Sequence, residues 1–307
     1  MNGESGGLDN VVIVGPGRMG LALGAAFRHR EAVGRLTYFG RGVEPPPHPL
    51  FDRQPGGDAG DVGDASGGAA YRMLPAMPPP STTIVILAVP DDALPEVVYD
   101  LAMMGQAPPG CTALHLSGAL STDALTPLHH RGYAIGSLHP LMAVADPWLA
   151  GERLVGAAFA MTGEPVANSA ARRLVSALGG VPLTIASTQR PLYHAAAVVA
   201  SNYLVALAGA AVRMLEDAGV DGDDAVRALL PLLRGTLDNI EHLGVRAAVT
   251  GPIARGDVDT VRLHLARLSP GDRVLYSGLG LELLRLARAA GLDEGRAAEI
   301  ESLLASG

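Results

Sequence analysis

A chain of 307 residues with 48% hydrophobic and only 4% aromatic side chains can bury a large core built from Ala, Leu and Val, divided between two domains. Its net charge of −8 and pI near 5.6 leave no basic stripe to neutralise phosphates and argue against a nucleic-acid partner. The 23 basic residues are all Arg, so Schiff-base chemistry and any mechanism needing an ammonium beside a carbonyl are excluded as well.

Residues 1–10 carry Glu4 and Asp9 and no apolar run, so no secretory signal is expected there and the cytoplasm is the expected location. The strand Val11-Val12-Ile13-Val14 then runs into Gly15-Pro16-Gly17-Arg18-Met19-Gly20, a G-x-G-x-x-G turn opening a small-residue helix over 21–27. The first Gly allows the tight turn, the second lets backbone approach a pyrophosphate, and the third lets helix and strand pack closely. The helix N-terminus would face the phosphates with its free N–H groups. The second strand, over 36–39, ends in Gly40-Arg41, where an NAD site usually places a carboxylate against the ribose 2′-hydroxyl. Arg41, helped by Arg18, offers a cationic fork to a 2′-phosphate instead, and NADP(H) is the expected cofactor.

Residues 43–80 hold nine Pro and six Gly with hardly any apolar periodicity, and read as a surface excursion with a short strand near 71–74. The apolar run over 82–89 has the character of a strand buried on both faces of a parallel sheet. Val89 and Pro90, at its end, join the glycine turn in the expected cofactor set, and Asp91 or Asp92 reads as the N-cap of the next helix. Further strands are expected over 112–116, 133–137, 159–162 and 181–185, with a helix over 165–178. Cys111, the only cysteine, cannot form an intrachain disulfide and reads as a small strand residue. This β-α alternation predicts an α/β, doubly wound parallel sheet with ligands at the carboxyl ends of its strands.

From residue 191 onward only helical patterns remain, which puts the boundary between a sheet domain, 1–188, and an all-helical domain, 189–307. The first of these helices, over 191–218, contains 18 nearly all-apolar residues from Ala195 to Val212. Ser201 and Asn202 interrupt that run and Ala dominates it, so the buried centre of an all-α domain, or of a dimer of such domains, is expected rather than a membrane span. Later helices are expected over 223–233, 234–243, 258–268, 273–290 and 294–304.

Several motifs together resemble a known group: Val12-Ile13-Val14-Gly15-Pro16-Gly17-Arg18-Met19-Gly20, Val89-Pro90-Asp91-Asp92, His115-Leu116-Ser117-Gly118, Leu138-His139-Pro140, Tyr193-His194 with Ser201-Asn202, and Thr250-Gly251-Pro252 with Arg255-Gly256-Asp257. The chain is similar to Rossmann-like proteins whose second domain is a domain of unknown function. More distantly it resembles pyrroline-5-carboxylate reductase, ketopantoate reductase, and the 6-phosphogluconate and 3-hydroxyacid dehydrogenases. The resemblance implies an NADP(H)-dependent oxidoreductase, dimeric through a helical domain like the 6-phosphogluconate dehydrogenase C-terminal domain. In the dehydrogenases a catalytic lysine stands four residues before an asparagine on the first helix of that domain. Here the asparagine is Asn202 and the position is Val198, so those activities do not carry over. Imine reduction, which needs no lysine, survives.

Hydride transfer asks the protein for geometry, a polarising donor and a proton. His115 and His139 fall at strand ends on the expected ligand side, and His194 on the following helix could share a polar stripe with Ser201 and Asn202. His194 ranks first as proton donor, with Tyr193 as a further candidate near the substrate. Ser117 and Gly118 are expected to meet the nicotinamide or the substrate through backbone N–H groups. Arg255 could clamp a substrate carboxylate or pair with Asp257, which itself reads as a helix cap. His129 and His130 are adjacent and make a poor metal pair, and no H-E-x-x-H or cysteine cluster occurs, so no catalytic metal is expected. The reading is a reductase of a small, carboxylated carbonyl or imine in a cleft between domains. The alternative is a non-catalytic NADP(H)-binding sensor or regulatory protein.

Overall fold

The computed structural model of the protein describes residues 8–52 and 68–306. In chain order the first unit comprises β1 (Asn10–Val14), α1 (Arg18–His29), β2 (Arg35–Gly40), β3 (Ala70–Met73), β4 (Ile84–Leu87), α2 (Leu94–Met104), β5 (Thr112–His115) and α3 (Thr126–His129). It continues with β6 (Ala134–Pro140), α4 (Pro147–Leu154), β7 (Ala158–Gly163), α5 (Pro165–Ala177), β8 (Val181–Thr184) and α6 (Arg190–Ala200). The strands form one sheet in the order β3-β2-β1-β4-β5-β6-β7-β8.

Both faces of this sheet are covered, which is why its central strands read as unbroken apolar runs. Val11 and Ile13 pack on one side with Leu23, Phe27 and Leu174, while Val12 and Val14 pack on the other with Val97, Val98 and Leu128. Neighbouring strands are parallel except β6 and β7, so β7 and β8 run against the other six. The purely parallel sheet expected from the sequence is therefore mostly parallel. The connection carrying α4 returns to the end of the sheet where β6 finished, bringing Phe159 opposite Pro140. α4 lies against α1 at Gly151, where a Cβ would come within 2.8 Å of Ala25.

The excursion over 43–80 lies partly outside the described residues. Its described part holds a 3-10 turn at Pro49–Phe51 and β3, an edge strand near the expected 71–74.

The chain divides into compact units Met1–Ser201 and Asn202–Gly307, so α6 stays with the sheet and the break falls beyond the expected 188/189. The single helix expected over 191–218 is divided at Ser201, which ends α6 with φ −113 and ψ −69. The second unit holds α7 (Asn202–Asp217), α8 (Gly222–Ala247), α9 (Pro252–Arg255), α10 (Val258–Arg267), α11 (Pro270–Ala289) and α12 (Glu294–Ala305). Two helices expected over 223–243 are one, α8, capped by Asp221 and broken only at Gly244. Ile253, Val261, Leu284, Ile300 and Leu304 make this unit's core.

Within the chain α7 is not the buried centre of the helical unit: Ala210 is its only buried residue, and Tyr203 and Val205 are exposed, which leaves the centre of a dimer as the remaining form of that expectation. The stretch Ser187–Asp217 is long and apolar enough to cross a membrane by length and composition. Leu232, Leu237 and Leu243 on α8 are likewise exposed among the described residues.

Candidate functional site

At the glycine turn the three glycines do three different things. Gly15 adopts φ +102, and a Cβ there would stand 2.5 Å from the Ala88 carbonyl. A Cβ on Gly20 would collide with the Gly15 carbonyl oxygen, while one on Gly17 would meet nothing within 4 Å. Close packing explains the outer pair; open space explains the middle one. α1 starts immediately after Gly17 with no side-chain cap and no acid in its first turn, leaving its N–H groups for an anion.

An open pocket of about 280 Å³ lies here, lined by Pro16, Gly17, Phe39, Arg41, Leu74, Val89 and Pro90 among others. Arg41 follows β2 and is exposed, as is Arg18. Among the described residues no carboxylate pairs with either. β3 adds a cation that sequence reasoning passed over: Arg72 sits opposite Phe39 in the parallel register, on the pocket's face of the sheet.

The pocket's wall connects to the histidine-bearing loop through Asp91. The Ser117 hydroxyl donates to Asp91 Oδ2 (2.9 Å) and accepts from the N–H groups of Ala119 and Leu120 (3.2 and 3.0 Å). Neither Asp91 nor Asp92 caps α2, whose N-cap is Ala93 without a side-chain bond. Asp91 is drawn to Ser117 across 26 residues, a pairing invisible to local pattern.

At the ends of β5 and β6, His139, Tyr193, His194 and Gly118 come together. Tyr193 and His139 share a hydrogen bond of 2.7 Å between the phenol oxygen and Nδ1, and the His139 and His194 rings stand 5.8 Å apart, edge to face. Burial, then the charges of His194 and Arg190, push the His139 imidazole down to about 4, so it is neutral near pH 7. Burial raises the Tyr193 phenol, which the Arg190 charge opposes. His194 Nδ1 is buried without a hydrogen-bond partner among the described residues.

His115 differs from its expected role. It ends β5 as anticipated but is 0% exposed, with its ring against the Ser121 backbone and no well-formed hydrogen bond. Burial, then the Arg190 charge, pushes it down to about 4. It sits behind the cluster, out of a ligand's reach.

Arg190 is the residue sequence reasoning missed, because Gln189-Arg190-Pro191 carries no motif. It is 0% exposed and donates to the Leu120 carbonyl (2.7 Å), Ser137 Oγ (2.6 Å), Thr162 Oγ1 (3.2 Å) and the Ser117 carbonyl. Among the described residues no carboxylate touches it.

Ser201 closes α6, so the expected stripe with His194 is interrupted, and Asn202 is exposed as the first residue of α7. Arg255 is exposed at the end of α9; Asp257 caps α10 through Thr260 as expected. Cys111 is buried and its thiol is pushed up to about 12, an inert structural group. Among the described residues no group of His, Cys, Asp or Glu could hold a metal ion.

The model of a domain of unknown function, DUF2520, matches residues 157–283, and that of a Rossmann-like domain matches residues 61–140. No curated protein matches the chain. Among solved structures it is similar to a Thermotoga maritima protein, at 22% identity over 91% of this chain and 99% of that one, with a TM-score of 0.67. It is also similar to a Plasmodium falciparum pyrroline carboxylate reductase with NADP bound (12% identity, 96% and 98% coverage, TM-score 0.56). A reductive aminase from Aspergillus terreus in complex with NADPH and ethyl-5-oxohexanoate is a third (18% identity, 97% and 93% coverage, TM-score 0.55). At these identities the likeness is one of fold.

Proposed function

We propose, for a chain that carries a Rossmann-like domain and a DUF2520 domain, that it is an NADP(H)-dependent oxidoreductase reducing a small carbonyl or imine, preferably a carboxylated one. The observation that carries this reading is the open space at Gly17, between two close-packed glycines and before an uncapped helix N-terminus, which a pyrophosphate would fill. Arg41, with Arg72 on the same face, would hold the 2′-phosphate. The NADP and NADPH complexes of the Plasmodium and Aspergillus reductases support the same chemistry for this fold.

The cofactor would supply the hydride; the protein must supply the proton. The geometry favours Tyr193 for this, ahead of the His194 that sequence order ranked first. With its proton on Nδ1, neutral His139 donates to the Tyr193 oxygen and leaves the phenol O–H free for the substrate oxygen or nitrogen. The phenolate left behind keeps that hydrogen bond and feels the Arg190 charge.

The uncovered apolar faces of α7 and α8 favour a homodimer through the helical unit, in the cytoplasm, over a membrane partner. Light scattering should then give twice the chain mass. A monomer that partitions onto lipid vesicles would overturn that part.

Fluorescence titration with NADPH and NADH, followed by NADPH oxidation across cyclic imines and 2-keto acids, tests the function. Tighter binding of NADPH with turnover of at least one class is expected. Tight binding with no turnover across the panel would favour a sensor.

A further inference from the structure

α6 carries both Tyr193 and His194, yet apolar burial does not hold it to the sheet. Its only buried residue is Arg190, whereas Leu192 and Val199 are 70% and 58% exposed. A helix with so little buried apolar surface has almost nothing to fix its rotation or its distance from the strands. Arg190 supplies what is missing. Its guanidinium donates to four oxygens in three places: the Ser117 and Leu120 carbonyls of the loop after β5, Ser137 on β6 and Thr162 on β7. Tyr193 and His194 stand three and four residues further along, on the same face of the helix.

We propose that Arg190 is the positioning residue of this site: a buried fork that pins α6 to three chain segments and thereby aims Tyr193 at His139 and His194 at Gly118. The inference rests on the reading of Tyr193 and His139 as the proton-donating pair. The groups facing the fork are His115, His139, Tyr193 and, through Ser117, Asp91. None of them forms an ion pair with it, and among the described residues its buried charge is met by neutral oxygens. A planar fork suits four fixed acceptors; an ammonium at the same place would carry the charge without reaching them together.

The test follows the His139 imidazole by NMR in the full chain with labelled histidine, which needs neither cofactor nor substrate. In the unsubstituted protein it should titrate near 4, and in Arg190→Met near the ordinary 6.5, because the pin and the burial it maintains are lost. Arg190→Lys should behave like Arg190→Met. A Lys variant that restored the low midpoint would show that charge, not positioning, is the role, and an unchanged midpoint in both variants would overturn the proposal. Should the Met variant not fold, Ser137→Ala with Thr162→Val removes two acceptors and should raise the midpoint by a smaller amount; no movement there overturns it equally. NADPH affinity should stay within about twofold in every variant, while turnover falls by about 10²-fold, as for a displaced catalytic group. Loss of NADPH binding in the unsubstituted protein would instead count against the cofactor reading and leave the histidine result standing.

Discussion

Gly118 lies between the imidazoles of His139 and His194: a Cβ added to it would stand 2.9 Å from His139 Nε2 and collide with His194 Nδ1. Gly118→Ala therefore pushes the two rings apart, and overpacking of this kind costs about 1–3 kcal/mol. Turnover should fall by about 10²-fold, with NADPH affinity nearly unchanged because the glycine turn on β1 is untouched. Steady-state kinetics beside a binding titration reads the split; equal loss of both would show that Gly118 serves the cofactor instead.

The two kinds of glycine in the turn separate stability from binding. Gly17→Val places its side chain in open space at φ −83, so the thermal midpoint should hold while NADPH affinity drops at least about tenfold. Gly20→Ala meets the Gly15 carbonyl and should lower the midpoint itself. Calorimetry of both variants, with and without NADPH, checks the contrast.

Removal of one hydroxyl tests the proton donor. Tyr193→Phe keeps the ring against His139 and should reduce turnover by about 10²–10⁴-fold without weakening NADPH binding. Retained turnover would move the role to His194.

Arg41→Ala addresses cofactor choice. A lost charge-assisted contact is worth about 1.5–3 kcal/mol, so NADPH should bind about 10- to 100-fold more weakly while NADH is unaffected. Parallel titrations with both nucleotides decide it.

His115 and His139 make stability depend on acid. Both are held near 4 in the folded chain against an ordinary 6.5, so between those values the unfolded chain binds more protons. Stability is then fully present above pH 6.5 and falls as the pH drops towards 4. For the fully buried His115 the slope is about 1.4 kcal/mol per pH unit. Urea melts across this range should show a shallower acid decline for His115→Leu than for the unsubstituted protein.

How much of the site was legible depends on how local its signal is. The conformations of Gly15, Gly17 and Gly20 and the place of Arg41 at a strand end are legible in sequence, since turn chemistry and strand ends are written in neighbouring residues. The adjacent pair Tyr193-His194 was visible as candidates but not as a geometry. Asp91 looked like a cap because a helix follows it, and only folding brings the Ser117 hydroxyl to it. His115 looked ligand-facing because it ends a strand, and only packing hides it.

By itself, then, the sequence determined the strand–turn–helix at the start, the switch from β-α alternation to helices alone, and, through its lack of lysine, the chemistry that is excluded. These follow from residue type and short-range periodicity. The tertiary structure decided the reversal of β7, the pairing of Tyr193 with His139 across 54 residues, and the burial of Arg190 against Ser117 across 73. Contacts at such separations depend on where strand ends meet in space, and a buried polar group finds its partners only once the surrounding chain has excluded water from it.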